Sequence, residues 1–363
     1  MSDPPITDGA MVDLPSGTRD VLPDEMRELR SVTERVRGVF DRAGYGEVYT
    51  PALEYEQTFA RGDGYRGHRP RSASSGARPA YRMFDEQGNV LVLRSDMTIP
   101  IARLVAIRYP GARSPLRFCY FAHAYRGVRP QRGQSREFLQ AGVELIGAAA
   151  PEGTAEVLTL MCAALDAAGL STYSIGVGDA SLYPGLLEAV GVDPQARERV
   201  LDALVDGDFV GLEHEVRQLE LGSEMSDLLL AVPRTRGGPE VLEGLSGALH
   251  EAVMGMRAVH ALLAPAVAQR IIFDLGLVRN VGYYTGAVFQ VYDPAHGVPI
   301  GSGGRYDELL GRFGHPLPAV GFALNVEQLH IALTSEERSV GSGGPRSRFV
   351  WDESDVSVER GGP

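Results

Sequence analysis

Cysteine is nearly absent from this chain. Cys119 and Cys162 are the only two among 363 residues, and both sit in apolar stretches. A disulfide framework or a cysteine metal site fits poorly, and two buried thiols in a reducing compartment are expected. Long hydrophobic runs are missing too. No stretch approaches the roughly 20 apolar residues of a membrane helix. The first 30 residues carry no signal-type apolar run, and Asp3, Asp8, Asp13 and Asp20 are scattered through them. A cytoplasmic protein with no membrane partner is expected. Positive charge is in deficit, with 35 Lys and Arg against 47 Asp and Glu and a net charge of −12. Such a chain has no global attraction for phosphate backbones, which makes nucleic acid a disfavoured partner and leaves only a local basic patch as a route to RNA. Metal-ligand spacing, a serine-type nucleophile motif and a nucleotide fingerprint are all missing. No metal and no cofactor are expected.

What is present is a folding pattern. At 44% hydrophobic content, 363 residues can bury one large core or two smaller ones. Met26, Leu29, Val32, Val36 and Phe40 recur at spacings of three and four, which predicts a helix over about 24–43 with Gly44 as its C-cap. Strands are expected at 47–50, 81–84, 90–93, 116–125 and 138–146, with Gln87-Gly88-Asn89 as a hairpin turn. Helices are expected at 98–109 and 151–168, and further strands at 172–177, 271–274, 287–291 and 320–323, the last feeding a helix through Ile331. Residues 61–80 read as a surface loop. The organisation expected is a flexible leader at 1–12, a core formed by 13–181 and 265–335, a helical insertion at 182–264, and a disordered Ser/Gly/Arg-rich tail at 336–363. Hairpins joined by short turns, with helices around them, argue for an α+β fold on a mostly antiparallel sheet.

Several segments combine chemistry with structure. Asp96 and Thr98 stand at a strand-to-helix junction, where they suit an ammonium ligand, although a simple helix cap accounts equally for Asp96. Arg126 ends a buried strand and suits a carboxylate or phosphate, while most arginine clusters are solvated hairpins. Gln140 and Glu144 lie four apart on an apolar strand, so alternation points both to one side. A buried polar pair needs partners or a cavity, and here a binding role outweighs a purely structural one. Arg279, Tyr283 and Tyr284 stand beside glycines, and Gly301-Ser302-Gly303-Gly304 reads as a glycine-rich turn that lets backbone approach a ligand or a neighbouring strand.

Taken together these segments resemble the histidyl-tRNA synthetase catalytic domain, a class II aminoacyl-tRNA synthetase fold. Pro15 to Pro23 resembles its opening, Leu93 to Thr98 the strand that grips the histidine amino group, Phe118 to Glu144 motif two, Leu277 to Phe289 and Gly303 to Asp307 the two histidine signatures, and Val320 to Leu329 motif three. The order holds over about residues 13–335. The resemblance implies a class II core with an inserted helical subdomain. It also implies a histidine-binding pocket made by Asp96, Thr98, Arg126, Gln140, Glu144, Arg279, Tyr283 and Tyr284. Asp96 is a shortened form of the usual glutamate, and Gly282 stands where the family often has aspartate.

The nucleotide side departs from the family. Val128 replaces a glutamate that meets adenine, and Gln134 and Gln328 replace arginines that meet the ATP phosphates, which marks a degenerate ATP site. Each such donor is typically worth about 3 kcal/mol in the transition state, so losing two removes several. No catalytic residue is expected. Only a polar tail follows Leu333 where the synthetases carry an anticodon-binding domain, so none is expected here. Arg94 to Thr98, Ser135 to Phe138 and Gln140 to Glu144 look closer to the regulatory branch of this family than to the synthetases, the branch whose subunits partner the short form of the ATP phosphoribosyltransferase catalytic subunit. That resemblance implies a hetero-oligomer built on a homodimer, no catalysis on this chain, L-histidine as a ligand, and a role in the first step of histidine biosynthesis and its feedback control. The competing readings are a truncated ligase that activates histidine for a non-tRNA acceptor and a synthetase-like RNA-binding module.

Overall fold

The computed structural model describes residues 14–63, 80–127, 135–243, 245, 247–277, 282–294 and 296–340. The expected leader, most of the 61–80 loop, Val128, Gln134, Arg279 and residues 341–363 lie outside the described residues.

The chain opens with α1 (Pro23–Arg42), started by proline at its first position. Gly44 follows it at φ +79°, and the Tyr45 N–H reaches back to the Phe40 carbonyl, so the expected glycine cap is present. Then come β1 (Gly46–Glu47), β2 (Leu53–Tyr55), α2 (Glu56–Asp63), β3 (Arg82–Phe84), β4 (Val90–Leu93) and α3 (Thr98–Arg108). The long hairpin β5 (Leu116–Tyr125) and β6 (Glu137–Ile146) leads to α4 (Glu152–Ala168) and β7 (Ser174–Asp179). A helical stretch follows, with α5 (Leu182–Ala189), α6 (Pro194–Asp206), α7 (Phe209–Gln218) and α8 (Ser223–Ala231). After the short β8 (Arg236–Gly237) come α9 (His250–Leu262), α10 (Pro265–Ala268), β9 (Ile271–Asp274), β10 (Ala287–Asp293), β11 (His296–Arg305), β12 (Ala319–Asn325) and α11 (Val326–Val340).

Among the described residues, nine strands form one sheet in the order β1-β5-β6-β12-β11-β10-β7-β9-β8, and β2-β4-β3 form a small second sheet. Among these strands, only β1–β5 and β7–β9 pair in parallel in the described residues. This is the expected α+β architecture on a mostly antiparallel sheet.

Period-two alternation divides the large sheet into two unlike faces. Ala141, Val143 and Leu145 of β6, Val320, Phe322 and Leu324 of β12 and Phe289 and Val291 of β10 enter one apolar core with buried residues of α1, α4, α9 and α11. The opposite face carries Gln140, Gly142 and Glu144 of β6 against Gly321, Ala323 and Asn325 of β12. Gly304 and Ser302 of β11 continue that row. A smaller apolar cluster of α3, Phe118, Tyr120, Tyr283 and Tyr306 borders it.

Four expectations need correction. Gly301 to Gly304 do not form a turn but run inside β11, in the middle of the sheet. The glycines are needed for strand contact, since a Cβ on Gly303 would lie 2.2 Å from the Gly321 carbonyl oxygen. The helix after β12 does not end near Ile331 but continues to Val340, so residues 336–340 belong to it and not to a tail. Its last turns are tied down where Glu336 accepts the Ser171 N–H at 3.0 Å. The strand expected at 47–50 is shorter and earlier, because β1 pairs β5 only through Gly46 and Glu47. Residues 61–63 are not loop but the end of α2.

Candidate functional site

The site lies on the glycine-bearing face, where β6, β12 and β11 meet α3. Its centre is Glu144, which is 1% exposed. The Thr98 hydroxyl at the start of α3 donates to one of its carboxylate oxygens at 2.8 Å, and the Tyr306 phenol donates to the other. No cation touches it among the described residues, and burial pushes its pKa up to about 8, aided by the negative field of Asp96 and opposed by the two hydroxyl donors. The pocket therefore holds a carboxyl with no positive partner among the described residues. A ligand bringing an ammonium or imidazolium would supply one.

The floor is made of residues without bulk. A Cβ on Gly321 would meet Glu144 Oε2 at 2.0 Å, one on Gly142 would meet the Tyr120 hydroxyl at 2.4 Å, and one on Gly304 would meet the Tyr284 ring at 2.7 Å. The glycines are what permit Glu144, Tyr120 and Tyr284 to stand where they do. Tyrosines form one wall. Tyr283 packs edge-on against Tyr284 and Tyr306, with centroids 5.1 and 5.6 Å away. Burial raises the phenol pKa values of Tyr120, Tyr283 and Tyr306 far above normal, so all three remain neutral hydroxyls.

Positioning begins upstream. Arg94, 4% exposed, donates to the carbonyls of His123 and Thr50 at 2.8 and 2.5 Å. These bonds pin the segment that turns from β4 into α3 and so fix Asp96 and Thr98. Asp96 Oδ1 accepts the Ile99 N–H at 3.2 Å, so the helix-capping reading holds for it while its charge still acts on Glu144 and Tyr283. Gln140, one repeat along β6 from Gly142, is 6% exposed, and its buried amide oxygen has no hydrogen-bond partner among the described residues. An unfilled buried acceptor normally costs about 1–3 kcal/mol, which is the usual mark of a group reserved for a ligand. Arg126 stacks its guanidinium 4.6 Å from the Phe138 ring centre, and Phe138 shares the Gln140 face of β6.

Of the residues singled out in the sequence, the structure gathers Asp96, Thr98, Glu144, Tyr283 and Tyr284 into one constellation and sets Gln140 on the same strand face. Arg279, Val128 and Gln134 lie outside the described residues. Gln328 sits at the start of α11 with its side-chain oxygen 2.5 Å from His296 Nε2. Tyr120 and Tyr306 were missed. Tyr306 lies inside the Gly303 to Asp307 signature, yet nothing in the sequence places its hydroxyl on Glu144. Arg305 in that string is structural, because it binds Asp307 and the Ala148 carbonyl at 2.9 and 2.8 Å. No cluster of three metal-ligating side chains occurs among the described residues.

Fold and pocket together define a class II aminoacyl-tRNA synthetase core of the histidyl type. The histidyl-tRNA synthetase family profile matches residues 17–329. An ATP phosphoribosyltransferase regulatory subunit from Symbiobacterium thermophilum is 42% identical over 324 residues, covering 88% of this chain and 79% of that protein. Another from Desulforamulus reducens is 36% identical, covering 95% and 84%. A solved Bacillus halodurans structure described as an ATP phosphoribosyltransferase regulatory subunit/histidyl-tRNA synthetase superposes with a TM-score of 0.79 at 34% identity, covering 89% of this chain and 83% of that one. The chain belongs to the family of ATP phosphoribosyltransferase regulatory subunits, a histidyl-tRNA synthetase-like group serving histidine biosynthesis.

Proposed function

We propose that this chain works in the cytoplasm as a homodimeric regulatory subunit, binds L-histidine in the pocket around Glu144, and leaves phosphoribosyl transfer to a separate catalytic subunit. The observation that carries the histidine assignment is the pairing of a buried carboxyl, Glu144, that no cation among the described residues meets with an amide acceptor, Gln140, that none of their donors fills, above a floor of glycines. An α-amino acid with a cationic side chain answers both groups. Asp96 and Thr98 would take the ammonium, Glu144 and the tyrosines the imidazole, and Arg126 and Arg279 the carboxylate. Exposed apolar side chains on and beside the small second sheet support the homodimer, since Tyr49, Tyr55 and Phe84 are 82%, 54% and 74% exposed. Among the described residues no helix is long and apolar enough to cross a membrane.

The absence of catalysis on this chain rests on the nucleotide side. Gln328 occupies the motif-three arginine position, and its amide is engaged with His296. A neutral amide gives no fixed positive charge to a polyphosphate. Feedback then requires histidine to favour one arrangement of the complex over another.

The test is reconstitution. The purified chain should co-purify with a short-form phosphoribosyltransferase and raise its activity, and histidine should inhibit the complex. A Glu144→Gln variant should still assemble and activate but lose histidine inhibition. Full inhibition of that variant would move the sensor away from this pocket. Failure to associate with the catalytic subunit would refute the regulatory role itself.

A further inference from the structure

The sides of the pocket come from chain segments far apart in sequence, and one side chain outside the pocket joins them. Arg312 lies in a single 3-10 turn, Leu310–Phe313, just downstream of Tyr306. It is half-buried. One terminal nitrogen of its guanidinium donates to the Gly62 carbonyl at 2.6 Å, and the other donates to the Gly282 carbonyl at 3.3 Å.

Both acceptors matter for where they stand. Gly62 is in the last turn of α2, where carbonyls find no partner inside the helix and a cation is favoured. The same residue presses on α3, since a Cβ on Gly62 would lie 2.7 Å from the Ile99 side chain. Ile99 follows Thr98, whose hydroxyl donates to Glu144. Gly282 belongs to the tyrosine wall. Its carbonyl shares a peptide plane with the Tyr283 N–H, so a bond to it limits how that plane can turn. Glycine is the residue least able to hold such a plane by itself. Tyr283 in turn packs on Tyr284 and Tyr306.

The base that presents Arg312 is well anchored. Leu309 and Leu310 are 0% and 1% exposed and share a core cluster with Ile99, Ile101 and Val105 of α3. Gly314, at φ +92°, ends the turn, with its N–H on the Gly311 carbonyl and the His315 N–H on the Leu310 carbonyl. The same stretch of chain supplies Tyr306, whose hydroxyl meets Glu144.

We propose that Arg312 is a positioning residue for the pocket, its guanidinium fork clamping the α2–α3 side to the tyrosine wall at the separation that admits the ligand. The proposal rests on the reading of that pocket as a histidine site. Arg312 acts through Thr98, Tyr283 and Tyr284 rather than on the ligand itself. A planar fork with two separate nitrogens suits two carbonyls from different segments, and a single ammonium does not.

The test pairs histidine calorimetry with hydrogen exchange on the full chain and three substitutions. Arg312→Ala should weaken histidine binding about tenfold, the equivalent of one to two lost hydrogen bonds. It should also speed exchange across Tyr283 to Gly286, with a melting temperature close to the parent's. Arg312→Met keeps the stem and should behave like Arg312→Ala. Arg312→Lys keeps the charge and should recover only a small part of the affinity. Parent-like affinity in Arg312→Ala or Arg312→Met would overturn the proposal. So would full rescue by lysine, which would make the role one of charge alone. Weaker binding with unchanged exchange at Tyr283 to Gly286 would place the effect elsewhere, and weaker binding that merely tracks a fallen melting temperature would reduce Arg312 to a stability residue. A parent chain that binds no histidine would refute the pocket reading instead. The clamp would then be judged by exchange alone, and unchanged exchange in Arg312→Ala would sink it as well.

Discussion

Two faces of the same sheet have been given to different tasks, and β6 shows it within three residues. Val143 and Leu145 are fully buried in the helix-covered core, while Glu144 between them turns to the opposite side and ends in the pocket. One face is packed with branched and aromatic side chains. The other keeps glycines where bulk would fit badly and retains a carboxyl that burial makes costly to ionise. If the pocket binds histidine as proposed, stability is concentrated on the first face and binding on the second, so neighbours in sequence should differ in what their substitution breaks.

The largest effect should come from Leu145→Ala on the packed face. Removing that side chain is expected to cost about 2–5 kcal/mol of stability, read as a lower denaturation midpoint, with histidine affinity unchanged in the fraction that remains folded. Glu144→Gln next door should do the reverse. It should weaken histidine binding about 100-fold or more by calorimetry, the value of about 3 kcal/mol that a charged hydrogen bond carries, without loss of stability. Comparable destabilisation by both substitutions would erase the distinction between the faces.

Glu144 also gives the comparison a pH signature. Its folded pKa of about 8 lies above its unfolded value of 4.5, so between those values the folded state holds a proton that the unfolded state has lost. The contribution is complete below pH 4.5, declines as pH rises, and is gone above about 8. Glu144→Gln should flatten stability across that window, while changes on the packed face should leave the slope intact. Histidine binding should release a proton in the same window, visible as a buffer-dependent binding enthalpy. A slope that persists in Glu144→Gln would assign the titration to another group.

A smaller effect belongs to Gly321→Ala, whose methyl group would press on Glu144 Oε2 and the Val143 carbonyl. We expect about 1–3 kcal/mol of destabilisation together with weaker histidine binding, because the methyl displaces the carboxyl. The smallest should be Gln328→Ala. Losing the contact to His296 should cost about 0.5–1.5 kcal/mol and leave histidine affinity as it was.

Much of this division was legible in the sequence, and the reasons are physical. Alternation on β6 put Gln140 and Glu144 on one side because a strand's period of two survives any packing. The hairpin around Gln87-Gly88-Asn89 and the glycine end of α1 followed from local backbone chemistry. The misreadings came where long-range contact overrides local preference. Gly301 to Gly304 look like a turn in isolation and become strand only because Phe289, Gly321 and Tyr284 press on them from other parts of the chain. The last turns of α11 look like polar tail until Glu336 meets Ser171, 165 residues away. Tyr306 joined the pocket through a partner 162 residues distant, a pairing no spacing rule encodes.

The most direct test of a kept amino-acid pocket beside a lost nucleotide site is histidine-dependent ATP–pyrophosphate exchange by the purified chain. The predicted result is no exchange above the histidine-free background, although histidine itself binds. Exchange that rises with histidine and disappears in Glu144→Gln would contradict it, because the chain would then be activating the amino acid.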